Sequence, residues 1–170
     1  MAMGKPEAAS AGGEPDLEAV ARALNSGAIH LLRSLAAVDR LAGLTPARLS
    51  ALSVIVFGGP QSLGSLAAAE GVAGPTMTRI VDGLVATGLI ERRPDPSDGR
   101  VVAIAATADG DSLMRAAAGR RIATIAAAIS ALPAPDRRRL AAGAGLLDRL
   151  AADVRARIPA IQSGAEPGGV

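Results

Sequence analysis

The chain contains no cysteine. That excludes disulfides, thiolate metal sites and a cysteine redox switch. It has a single histidine, His30, so a multi-histidine metal centre within one chain is excluded as well. Aromatic side chains are almost missing: there is one phenylalanine, Phe57, and neither tryptophan nor tyrosine. The core must therefore rest on Leu, Ile and Val, with close helix packing through Ala. No stretch approaches the roughly 18 apolar residues of a membrane span. The start, "MAMGKPEAASAGGEP", lacks the apolar centre of a secretory signal, so a cytoplasmic protein with no membrane partner is expected. A large charge imbalance is also lacking. Net charge is +2, and residues 44–106 carry five basic and five acidic side chains. Any case for nucleic-acid binding must come from placement rather than total charge.

What is present is a chain of 170 residues, enough for one domain or a compact pair of subdomains. Residues 1–15 and 159–170 are rich in Gly, Ala, Pro and polar residues and read as a disordered arm and tail. Between them, residues 16–43 predict a long helix. Leu17, Leu24, Leu31 and Val38 recur every seven residues, with Val20 and Leu35 in the adjoining row. Asp16 is placed to cap it and Gly43 to end it. Thr45 followed by Pro46 marks the next helix start, and Gly58, Gly59 and Pro60 stop it. "SLGSLAAAEG" predicts a short helix from about Ser62 to Gly71, and "VAGPTMTRIVDGLVATG" predicts a second one. Two short helices around a tight turn, with Val72 filling the gap, make a helix-turn-helix. "LIERR" and "RVVAIAA" are β-prone, and "PDPSDG" between them is turn chemistry. A helix-turn-helix followed directly by a hairpin is a winged helix. Thr107 then caps a helix reaching about Leu132. A last helix spans about 135–157, with Leu140, Leu147 and Val154 at seven-residue steps and Leu150 beside them. The stripes on the first and last helices lie outside the small core and need a partner, both within the chain and across a two-fold axis.

The local text resembles the MarR family of bacterial transcription regulators over about residues 17–157. "SLGSLAAAEGVAGPTMTRIVDGLVATGLIERRPDPSDGRVVAIAATADG" carries the resemblance, and "GLIERRPDPSDGR" is its most specific part. The resemblance implies a mainly α (α+β) fold: a winged helix-turn-helix DNA-binding domain at 44–106, between dimerisation helices at 16–43 and 107–158. It also implies a homodimer whose two lobes sit in successive major grooves of double-stranded DNA, most simply as a repressor. The interface is assigned to Leu17, Val20, Leu24, Leu140, Leu147, Leu150 and Val154.

The helix at about 74–87 would enter the groove by its N-terminal half, presenting Pro75, Thr76, Thr78 and Arg79. Arg79 can grip guanine or a phosphate, or pair with Asp82 one turn on. Ala73 stands where the family often has a capping serine, and Gly74 is the substitute considered. Gly83 inside this helix suggests close packing. In the family pattern the arginine matching Arg100 reaches into the minor groove, braced by the aspartate matching Asp98, while Gly99 allows the turn. Of Arg92 and Arg93, one is expected to meet phosphate and the other to be structural. Ser62 and Ser65 are candidate phosphate contacts. Arg137, Arg138 and Arg139 open the last helix, either as a solvated face or as a flanking DNA contact. Many members bind small anionic aromatics, and here His30 and Phe57 lie on elements that border that pocket. No cofactor, metal site or enzymatic activity is expected. The alternative reading is a winged-helix module that binds protein.

Overall fold

The computed structural model describes residues 14–94 and 102–162, the last four of these as backbone only. The chain divides into two units, one up to Arg121 and one from Ile122. The first unit holds α1 (Leu17–Asp39), a 3-10 turn (Arg40–Ala42), α2 (Pro46–Gly58), α3 (Leu63–Glu70), α4 (Gly74–Ala86), β1 (Ile90–Pro94) and β2 (Val102–Ala106). Helix α5 (Ala108–Ser130) begins in this unit and ends in the second, which also holds α6 (Ala134–Gln162).

The helix starts follow from local side-chain chemistry. Asp16 accepts from the N–H groups of Glu18 and Ala19 at 3.0 and 3.1 Å. Thr45 caps α2, whose first residue is Pro46, and Ser62 accepts from Ser65 N–H at 3.1 Å to cap α3. Such caps satisfy donors that a helix leaves orphaned in its first turn. Helix α3 ends at Gly71, whose φ of +64° is left-handed backbone that glycine adopts without strain. Val72 N–H then returns to the Ala67 carbonyl, and the Val72 side chain packs against the core. Helix α4 differs from expectation. Its cap position is Ala73, which offers no side-chain acceptor, and Gly74 is already the first helical residue.

The core forms where α2, α3 and α4 meet the hairpin. Leu52, Ile55, Leu66, Met77, Val81, Leu84, Ile90 and Ile104 are its largest fully buried side chains. The one aromatic residue is not among them, because Phe57 is 59% exposed. Strands β1 and β2 pair antiparallel, with Arg92 opposite Ile104 and Pro94 opposite Val102. Gln61 adds a bridge on the other side of β2. Its N–H donates to the Ile104 carbonyl at 3.1 Å, and its carbonyl accepts from Ile104 N–H at 2.8 Å. The root of the wing is thus tied to the segment between α2 and α3.

Helix α5 is locked by a knot around its first turn. Thr107 N–H donates to the Leu89 carbonyl (3.1 Å) and Thr107 Oγ1 donates to the Gly88 carbonyl (2.7 Å). The same hydroxyl accepts from Gly110 N–H at 3.1 Å. Arg115 bonds Asp111 one turn on and holds its carboxyl below the usual carboxylate range.

In the second unit, Arg137 Nη1 donates to the carbonyls of Leu132 (2.9 Å) and Ser130 (3.3 Å), closing the end of α5. Arg139 pairs with Asp136 at 2.9 Å. Helix α6 runs on to Gln162, past the expected end near 157. From residue 134 to 158 it buries nothing, and in α1 only Leu35 is buried. No single described helix is long and apolar enough to cross a membrane.

Candidate nucleic-acid interface

Helix α4 turns Met77, Val81 and Leu84 into the core, a spacing of four and three residues that puts them on one face. Pro75, Thr76, Arg79 and Asp82 are exposed, while Thr78 and Gly83 are half-buried. Asp82 does not pair with Arg79. Its carboxylate accepts from Arg92 Nη2 across on β1 at 2.6 Å, so the reading helix is braced to the wing strand. Among the described residues the Arg79 side chain has no hydrogen bond or ion pair. Thr78 Oγ1 donates to the Gly74 carbonyl at 3.0 Å. Arg48 of α2 lies over Gly83 on the same helix. A Cβ at Gly83 would stand 2.1 Å from an Arg48 guanidinium nitrogen, at the far end of a flexible side chain.

The two strand arginines separate into different settings. Arg92 is held by Asp82, whereas Arg93 lies 3.9 Å from Glu91, a loose pair. Both remain exposed. Ser62 and Ser65 sit together at the start of α3, their hydroxyls 3.0 Å apart, and the Ser62 oxygen already serves as the cap. Asp98, Gly99 and Arg100 lie outside the described residues.

A cavity of about 470 Å³ opens below this lobe. Phe57, Leu44, Leu49 and Met114 supply its apolar wall, and Ser50 and Arg40 lie at its polar side. The Asp39–Arg121 ion pair, 2.7 Å long and largely shielded, ties α1 to α5 at the same place. Phe57 therefore lines the cavity, but His30 does not: it sits on an exposed part of α1. Ser50 also donates to Glu70, the last residue of α3, at 3.0 Å. Sequence reasoning had no local signal for Asp82–Arg92, Arg48–Gly83, Ser50–Glu70 or the Gln61 bridge, because each joins residues from separate elements.

A sequence model described as the MarR family matches residues 44–102, the lobe just built. The uncharacterized HTH-type transcriptional regulator Mb0904 of Mycobacterium bovis is 31% identical over 124 residues, covering 73% of this chain and 87% of that protein. The chain belongs to the MarR family. It is an HTH-type transcriptional regulator, in keeping with its helix-turn-helix and wing. The fold agrees with solved structures. RV1404 from Mycobacterium tuberculosis superposes with a TM-score of 0.68 at 26% identity, over 86% of this chain and 98% of that one. A MarR family protein from Bacillus stearothermophilus gives 0.71 at 19% identity, over 82% and 95%. Within this MarR chain, the matched segment contains α2, α3, α4 and β1, the elements that carry Arg79 and Arg92.

Proposed function

We propose that the protein represses transcription by binding a pseudo-palindromic operator as a homodimer, in the bacterial cytoplasm. The exposed edge of α4, with Arg79 unpaired on it among the described residues, carries this reading. Two such helices, related by a two-fold axis, fit half-sites about one helical turn apart. The whole winged helix-turn-helix region, 44–106, then serves as the DNA-binding domain. Arg93, whose one partner among the described residues is 3.9 Å away, is the wing arginine suited to phosphate, and Arg92 is the one that positions the strand. Ser65 faces solvent beside the capped start of α3 and suits a phosphate oxygen. By the family pattern, Arg100 is assigned to the minor groove, with Asp98 bracing it and Gly99 allowing the turn.

The homodimer reading rests on the apolar stripes of α1 and α6. Leu17, Val20, Leu24, Leu140, Leu147, Leu150 and Val154 are all exposed in the single chain. Water-facing apolar rows of this extent mark an interaction surface. Segments 16–43 and 107–158 are accordingly assigned to dimerisation.

Arg100→Ala tests the wing. Operator affinity in a fluorescence-anisotropy titration is expected to fall roughly tenfold or more, with the dimer intact by sedimentation. Unchanged affinity would remove Arg100 from the interface.

The cavity beside α2 is proposed as an effector site. Arg40 provides positive charge at its edge and Phe57 the one ring available for stacking. Aromatic carboxylic acids added to the protein–operator complex are expected to release DNA from the wild type and not from Phe57→Ala. Equal release from both would place the effector elsewhere.

A further inference from the structure

We propose that each half-site is read through one guanine, gripped by Arg79, and through thymines within about two base steps of it, recognised by their methyl groups at Pro75 and Thr78. The inference rests on the operator reading above and specifies what that operator contains. In the major groove each base demands a different partner. Guanine offers two acceptors that fit an arginine fork, adenine is best matched by a side-chain amide, the cytosine amino group by a carboxylate, and thymine offers a methyl. Helix α4 contains no Asn, Gln or Glu. Its single acid, Asp82, is bound to Arg92 at 2.6 Å and so is withdrawn from cytosine.

That ion pair has a second effect. It removes the only carboxylate on α4 from Arg79, leaving the guanidinium exposed and unpartnered among the described residues. Thr78 has its hydroxyl hydrogen committed to the Gly74 carbonyl at 3.0 Å, so it has no proton to donate to a base, and its methyl is the group it offers that thymine alone matches. Pro75 is exposed and has neither a side-chain donor nor an acceptor. Guanine and thymine are thus the bases for which this edge carries a dedicated partner. Thr76, whose hydroxyl is compatible with any base or with phosphate, adds affinity without choosing. Pro75 and Arg79 stand about one helical turn apart, about 6 Å along the axis. At about 3.4 Å per base on one strand, that is close to two steps.

The test starts with the full-length protein selecting duplexes from a random library. Each half of the recovered motif is expected to hold a guanine with thymine within two steps. On one selected duplex, 7-deazaguanine, which lacks N7, should weaken binding about tenfold, and uracil for thymine should weaken it severalfold. Thr78→Val keeps the methyl and should keep the preference for thymine over uracil, whereas Thr78→Ser should reduce it. A motif without a required guanine, or equal binding of thymine and uracil duplexes by the wild type, overturns the inference while leaving the operator reading in place. Recovery of no motif at all overturns both, and is told apart by there being no site to modify.

Discussion

Gly110→Ala is expected to lower the stability of the winged-helix unit by about 3 kcal/mol, measured by urea unfolding at fixed protein concentration. A Cβ at this position would lie 1.9 Å from the Leu89 carbonyl oxygen and 2.9 Å from its carbon. Both are backbone atoms, so no rotamer change relieves the clash. The carbonyl is also fixed, because it accepts from Thr107 N–H, and Thr107 in turn bonds both Gly88 and Gly110. Moving it disturbs Leu89 and Ile90, which are buried. Gly83→Ala is the control. It meets the far end of the Arg48 side chain, which can swing aside, and alanine favours a helix over glycine by about 1 kcal/mol. That variant should unfold no earlier than the wild type. A Gly110→Ala protein as stable as the wild type would refute the tight packing of α5 on the Leu89 turn between α4 and β1.

Leu147→Glu combined with Val154→Glu is expected to convert the dimer to monomer in sedimentation velocity. Leu147 is 57% exposed and Val154 52% exposed in the single chain, seven residues apart on α6. If a partner covers them, each new carboxylate is buried without a counter-charge, at a cost of about 3 kcal/mol. Each substitution alone then raises the dissociation constant more than about 100-fold, since 1.4 kcal/mol is tenfold. Operator affinity should fall in parallel, because two half-sites are no longer held together. The exposed positions also make the test clean: a surface residue that meets no partner tolerates glutamate with little loss. An unchanged dimer would refute the α6 stripe as interface.

The fold was legible wherever its signals were local. Asp16, Thr45, Ser62 and Thr107 each bond a backbone N–H within three residues, and the reading of these as helix starts needs nothing distant. The order helix-turn-helix then hairpin was equally plain. The reading lost ground where two residues compete for one partner. Spacing along α4 offers Asp82 to its neighbour Arg79, but Arg92 reaches it from β1, ten residues away in sequence. Spacing within a helix says nothing about a third side chain arriving from a strand. Nothing local in sequence marks Gly110 for the same reason, since its constraint is the Leu89 carbonyl rather than any local turn. The Gly74 cap failed on simple chemistry: glycine has no side-chain acceptor, and the cap position is Ala73. Arg137 proved to close the end of α5, which a run of three arginines does not disclose.

The hairpin is also a solubility problem. With Gln61 pairing to β2, strand β1 is left at the edge of the sheet. An open strand edge invites pairing with another chain. Here the sequence from Glu91 to Pro94 places three charges and a proline along that edge, all exposed. Two wings brought close on neighbouring sites therefore meet as charged, proline-ended strands that pair poorly. Arg93, proposed to meet phosphate, and Arg92, which braces the reading helix, thus also help keep adjacent molecules from zipping together.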